Sequence, residues 1–254
     1  MFPNNDACLH HIFRSNYPYL EGYHRIKKRL AYVNNVGHQI YPLKGTIFEK
    51  SRTSLTKWFF AIYIFHLSKN GVSAKEMERY LGVTYKTAWR MGMRIRTLMD
   101  QDKDKLRGII EADETYIGGR RRTSNKFKDR AVTLGIVQRG GQVRVKVIER
   151  RDEFNVIPYL DQNIKKRSTL YTDEAKVYTV AFNFKRETVT HSKHQYVNGE
   201  VHTNTIEGFW GQLKRSLHGT YHCVSNEHLQ LYIDEFAFRY NYRGLVFDEM
   251  MKRL

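Results

Sequence analysis

Asp113 in E-A-D-E-T-Y-I-G-G, Asp173 in L-Y-T-D-E-A and Glu207 in N-T-I-E-G-F-W-G-Q-L-K-R are three carboxylates placed as a set. The first two fall in strand-like stretches and the third in a helical one. Lys214 follows Glu207 by two helical turns on the same face. Hard divalent cations take oxygen ligands, and magnesium keeps few protein carboxylates while phosphate and water complete its shell. Two Mg2+ ions (or Mn2+ in their place) about 4 Å apart activate an attacking hydroxyl and stabilise a leaving oxygen. Three convergent acids on a basic chain therefore suit metal-dependent phosphoryl transfer on nucleic acid.

Each acid also has an ordinary use. Asp113 has Glu111 and Glu114 as neighbours, which fits an exposed strand edge. Asp173 can cap the helix that follows it, and Glu207, three residues after Asn204, is close to capping-box spacing. Singly, these uses fit as well as catalysis. Jointly, acids from three separate elements favour a metal site, and a charge in mid-strand, as at Asp113, is unfavourable without a reason. Ile206, Phe209, Trp210, Leu213 and Leu217 make an apolar stripe on the Glu207 helix. Glu207, Gly211, Lys214 and His218 run beside it, with Gly211 leaving space between acid and lysine. Lys214 can hold a phosphate next to the acids, and Arg215 can add a backbone contact.

The 254 residues carry 43 Lys and Arg against 26 Asp and Glu, a formal charge of +17. Such an excess repels itself and implies a polyanionic partner, here double-stranded DNA, while 13% aromatic content argues against disorder. Two cysteines, Cys8 and Cys223, exclude a disulfide framework and a four-cysteine zinc site. The N-terminus lacks the pattern of a secretion signal. The longest apolar run, W-F-F-A-I-Y-I-F at 58–65, is too short to span a bilayer. A soluble cytoplasmic protein with no membrane partner is the expectation.

The elements that must position the acids follow from periodicity. Residues 1–50 are irregular, with short strands at most. Leu55, Phe59, Ile62 and Phe65 recur at helical spacing. Ser73 then caps a short helix, L-G-V turns the chain, and Thr84 caps a second helix bearing Lys86, Arg90, Arg94 and Arg96. That is a helix-turn-helix pattern with a basic second helix suited to the major groove, although an ordinary helical hairpin has the same spacing. Strands are expected in L-R-G-I-I-E-A-D-E-T-Y, A-V-T-L-G-I-V-Q and Q-V-R-V-K-V-I-E, the last two joined at Arg139-Gly140-Gly141. A polar basic loop at 120–130, with Arg120, Arg121 and Arg122, sits just after the first acid and is expected to meet phosphate. Helices at 154–165, 174–181, 204–218 and 225–243 surround a further strand ending at Asp173. The order describes an α/β, ribonuclease-H-like catalytic domain at 105–254. A small helical helix-turn-helix domain at 51–104 precedes it. The runs at 184–195 and 243–254 carry no functional reading.

With these residues in hand, the chain resembles bacterial insertion-sequence transposases of the DDE superfamily, in the ISXO-two-like group. The matching blocks include K-G-T-I-F-E-K-S-R-T-S-L-T-K-W-F, L-G-V-T-Y-K-T-A-W-R-M, E-A-D-E-T-Y-I-G-G, L-Y-T-D-E and H-T-N-T-I-E-G-F-W-G-Q-L-K-R. The resemblance implies that Asp113, Asp173 and Glu207 are the catalytic, metal-binding acids and Lys214 their accompanying lysine. It also implies magnesium as cofactor, transposon-end and target DNA as substrates, and strand cleavage followed by strand transfer. Paired cutting of two ends suggests a homodimer on DNA. Relatives resemble one another in an N-terminal zinc ribbon with two Cys-x-x-Cys pairs, but Val33 and Val36 stand where the second pair falls here. A degenerate zinc-ribbon-like segment at 1–50, without structural zinc, is therefore expected. The contrasting reading is a non-catalytic DNA-binding remnant or repressor.

Overall fold

Asn4 starts the first helix, α1 (Asn5–Asn16), by accepting a hydrogen bond from the Ala7 amide at 2.9 Å. The computed structural model describes residues 2–27, 29–118, 130–189 and 201–254. The chain divides into two compact units, Met1–Met99 with Gly244–Leu254, and Asp100–Arg243.

The first unit holds more order near its start than periodicity suggests. Cys8, Leu9, Ile12 and Phe13 form the buried face of α1, and Phe13 stacks on Tyr32 with ring centroids 4.0 Å apart. Tyr32 belongs to a small antiparallel sheet of β1 (His24–Ile26), β2 (Ala31–Val33) and β3 (Gln39–Ile40). The turn carrying Val36 is organised by Asn34, whose side-chain oxygen accepts from the amides of Val36 and His38. Next comes α2 (Leu55–Leu67), capped by Ser54. Ser73 and Glu76 close a capping box on α3 (Ala74–Leu81), and Gly82 ends that helix in the left-handed region at φ 57°. Thr84 caps α4 (Tyr85–Arg96). Two helices joined by a short glycine turn thus stand where their capping residues put them.

The second unit is a mixed α/β layer structure. β4 (Ile109–Ile117), β5 (Ala131–Gln138) and β6 (Val143–Ile148) run antiparallel, and Gly140 supplies the positive φ of their hairpin. After α5 (Glu153–Asn163) come β7 (Thr169–Thr172) and β8 (Lys185–Thr188). β8 lies in a run without a sequence assignment. Sheet order is β6-β5-β4-β7-β8, with β7 parallel to β4 and β8 parallel to β7. β4 is therefore central, which removes the exposed-edge reading of Asp113. The expected helix at 174–181 shrinks to a single tight turn at Lys176–Tyr178.

Strand pleating divides the side chains of β4 between two layers. Ile110 and Ala112 join Leu134, Ile136 and Leu170 in a core covered by Val156, Tyr159 and Leu160 of α5. Glu111 and Asp113 point to the opposite face, where α6 (Asn204–Ser216) lies. α7 (Asn226–Asn241) is laced to β6 by side-chain amides: Gln230 accepts from the Val147 amide and Asn241 from the Val143 amide. The last helix, α8 (Val246–Lys252), belongs to the first unit rather than to the segment beginning at 105. Its Phe247 meets Tyr63 edge-on at 6.0 Å, and Val246, Met250 and Met251 are buried. Among the described residues no helix is long and apolar enough to cross a membrane.

Candidate active site

The register between β4 and β7 pairs Ile109 with Thr169 and Glu111 with Tyr171. Continued by two residues, it brings Asp113 level with Asp173, one position beyond the end of β7. Neighbouring strands lie ~4.8 Å apart, so the two acids become close neighbours by pairing alone. α6 crosses this face above Gly135, the β5 residue paired with Asp113. A Cβ on Gly135 would stand 2.4 Å from the Trp210 ring and 3.0 Å from Ile206. The missing side chain is what lets α6 approach. The Trp210 indole N–H donates to Asp113 Oδ2 at 3.1 Å. Glu207 lies one turn earlier on α6, exposed, with Oε1 accepting from the Thr203 hydroxyl at 2.8 Å.

Electrostatics mark Asp113 out. Burial, then the charge of Glu114, push its carboxyl up to about 7, and the charges of Asp173 and Glu207 push the same way. Three carboxylates thus act on one another, with surplus negative charge at the centre. Asp173 accepts from Arg151 at 3.2 Å and from the Ala175 amide at 3.0 Å. Arg151 also pairs with the buried Glu114 at 3.1 Å. Arg186 of β8 donates to the Thr172 hydroxyl and to the Asp173 carbonyl, both at 3.1 Å, fastening the strand end.

The all-oxygen donor set and the uncompensated charge at Asp113 fit a hard divalent cation. Among the described residues, no three His, Cys, Asp or Glu side chains are gathered as a ready cation cage. Thr203, Arg151 and Trp210 hold the three acids individually, so a cation binding here would compete with them.

Lys214 and Arg215 are exposed further along α6. Gly211 is not a tight spacer: an added Cβ would meet only the Arg215 side chain, at 3.3 Å. Glu207 makes no capping box with Asn204. The N-cap is Thr203, and the first-turn amides of Thr205 and Ile206 bond instead to Glu111. His202 faces Glu111 at 3.4 Å.

Of the residues expected to touch DNA, Thr84, Lys86 and Arg90 are exposed along the start of α4. Arg94 is turned inward, donating to the carbonyls of Ile47 and Glu49 at 2.8 Å each. Those bonds tie down the backbone beside Lys50, which is itself in the left-handed region at φ 58°. Lys50, Arg52, Ser54, Lys57, Thr84 and Arg90 line a cleft of about 650 Å³ whose lining contains no acid. Sequence reasoning found its α4 wall but missed Lys50, Arg52 and Lys57, which lie in an irregular stretch and on another helix. Arg120, Arg121 and Arg122 lie outside the described residues.

Residues 105–241 match the family described as the ISXO2-like transposase domain. Over 216 residues the chain is 29% identical to an uncharacterized protein in transposable element ISH50 of Halobacterium salinarum, covering 77% of this chain and 72% of that one. Among solved structures it overlaps a chain of a simian T-cell lymphotropic virus intasome in complex with the PP2A regulatory subunit B56 gamma. That overlap has a TM-score of 0.33 and 12% identity, covering 68% of this chain and 66% of the other, just under two thirds. A chain of the Mos1 strand transfer complex overlaps at a TM-score of 0.31 and 12% identity, covering 76% and 75%. Both overlaps are loose.

Proposed function

From the premise that this chain belongs to the ISXO2-like transposase family, we propose that it cuts DNA strands at the ends of its element and joins them to target DNA. Asp113, Asp173 and Glu207 are the catalytic acids of this reading, in a domain of ribonuclease-H-like fold. The observation that carries it is the pairing of β4 with β7, which sets Asp113 level with Asp173 beneath the Glu207 helix. The sheet order, with three antiparallel strands followed by two parallel ones, supports the fold assignment.

Asp113, Asp173 and Glu207 would hold magnesium, expected as two ions, whose charge would favour ionisation of the attacking hydroxyl and relieve the leaving oxygen. The protein's own share is positioning. Trp210 orients Asp113, Arg151 and Arg186 hold the Asp173 turn, and Lys214 neutralises a DNA phosphate beside the acids. Water first opens the strand at the element end and frees a 3′-hydroxyl, which then displaces a phosphodiester oxygen of the target. The other unit supplies grip: Lys86 and Arg90 on α4 face the DNA, and the acid-free cleft of Lys50, Arg52, Lys57 and Arg90 takes backbone phosphate. A homodimer on DNA would serve the two ends together.

The test is magnesium-dependent nicking and strand transfer on a labelled duplex carrying the element's own terminal repeat, comparing wild type with Glu207→Ala. Cleavage by the wild type and none by the variant is the expected result. Equal cleavage by both would remove Glu207 from the mechanism, and binding without cleavage by either would reduce the protein to a DNA-binding remnant.

A further inference from the structure

Glu111 is fully buried on the central strand and serves as neither metal ligand nor acid in the reaction proposed above. Its carboxylate accepts from the Thr205 amide at 2.8 Å, the Thr205 hydroxyl at 2.8 Å and the Ile206 amide at 3.1 Å. These donors form the first turn of α6, 94 and 95 positions away in the chain. Helix starts leave such amides without intrahelical partners, and a cap residue usually satisfies one of them locally. Thr203, the N-cap of α6, makes no capping bond to the backbone and spends its hydroxyl on Glu207. The cap is therefore delivered from the sheet.

Arg139 completes the arrangement. Its Nε donates to Glu111 at 2.8 Å, another guanidinium nitrogen donates to the His202 carbonyl at 3.1 Å, and the group lies over the Tyr171 ring at 4.7 Å. One arginine thus joins the carboxylate on β4, the chain entering α6 and a residue of β7. Glu111 and Asp113 are next neighbours on one face of β4, ~7 Å apart along the strand. Glu207 belongs to the same helical turn as the capped amides.

We propose that Glu111 is a positioning residue for the reaction: it anchors the first turn of α6 to β4 and so sets Glu207 against Asp113. The proposal rests on the transposase reading for its effect on rate, but the anchor itself is testable without it. A misplacement of ~1 Å at a reacting centre costs ~10²-fold in rate.

The experiment compares wild type, Glu111→Gln, Glu111→Ala and Thr205→Val in single-turnover cleavage across a range of DNA concentrations. Amide hydrogen exchange is followed in parallel on the same proteins. The expected result is a maximal rate lowered ~10²-fold in Glu111→Ala, with half-saturating DNA concentration unchanged. Glu111→Gln, which keeps one acceptor oxygen, recovers part of the loss, and Thr205→Val shows a smaller loss of the same kind. Exchange at Thr205 and Ile206 accelerates in the glutamate variants by more than it does in β4 and β5. Wild-type rates in all variants overturn the proposal, as does exchange accelerated no more at Thr205 and Ile206 than across the sheet, which would make Glu111 a general stability residue. Should Glu111→Ala fail to fold, Glu111→Gln and Thr205→Val decide. If the wild type itself does not cleave, the transposase reading fails, and unaltered exchange at Thr205 and Ile206 overturns the anchor separately.

Discussion

Glu111 and Asp113 share one face of β4, two positions apart, in opposite circumstances. Glu111 is met by an arginine, a threonine hydroxyl and two helix amides. Asp113 is met by the Trp210 indole N–H and faces the charges of Glu114, Asp173 and Glu207, which with burial push its carboxyl up to about 7. A buried charge whose partners are all supplied by the fold serves the fold. One left short of positive charge costs stability, and on the proposed reading it would hold a cation.

Removing each group should therefore move the protein in different directions. Asp113→Asn should lower strand cleavage by on the order of 10³-fold or more while DNA affinity persists, as nicking and filter-binding assays would register. Without divalent ions the same variant should melt higher than wild type at pH 8. Asp113 has a raised folded pKa, so its contribution is fully present below the unfolded value near 3.8 and is lost as pH rises through about 7. At ~1.4 kcal/mol per pH unit this amounts to a few kcal/mol. A metal-free stability profile that is flat between pH 4 and 7 would break the comparison on the Asp113 side.

Glu111→Ala should do the reverse, costing ~3–5 kcal/mol in urea denaturation because it strands Arg139 and the α6 amides. A loss below ~1 kcal/mol would mean that water replaces the carboxylate and the two sites differ less than their contacts suggest. Gly135→Ala tests the seat they share. Its Cβ would enter the Trp210 ring, so a loss of ~1–3 kcal/mol with reduced cleavage is expected from melting and nicking together.

Asp234 sharpens the contrast as a third buried carboxylate. Burial pushes it up to about 6, while hydrogen bonds from Gln101 and Gln230 pull it down. Its contribution is fully present below pH ~3.8 and lost as pH rises through about 6. Asp234→Asn should accordingly stabilise the protein by ~1–2 kcal/mol at pH 7, with the gain vanishing toward pH 4. Gly211→Ala is the smallest effect: helix propensity favours it by up to ~1 kcal/mol, and only the flexible Arg215 side chain stands in the way. A large loss there would show that α6 is packed more tightly on this side than its contacts indicate.

Much of the scaffold was legible in the sequence because its signals are local. Ser73, Glu76, Gly82 and Thr84 bracket α3 and α4 through bonds that span three or four residues. The period-two stretches of β4, β5 and β6 and the glycine hairpin between the last two are likewise written in consecutive residues. α1 was not read, because its polar residues hide the helical spacing of Cys8, Leu9, Ile12 and Phe13. β8 was not, because K-R-E-T becomes a strand only by pairing with β7 at a sheet edge. Arg94 looked like a groove-facing cation until the backbone at 47–49 folded against it.

The sequence by itself determined which residues can do chemistry: three acids, a lysine two turns on, a basic helix after a glycine turn, and motifs specific to one transposase family. Those are properties of residue type and short spacing, which survive without a fold. Only the tertiary structure decided that Asp173 stands level with Asp113, that Trp210 sits over Gly135 to reach a carboxylate 97 positions away, and that Glu111 caps a helix 94 positions downstream. Strand register and helix docking choose those partners by packing, and packing brings together residues whose separation along the chain carries no trace of the contact.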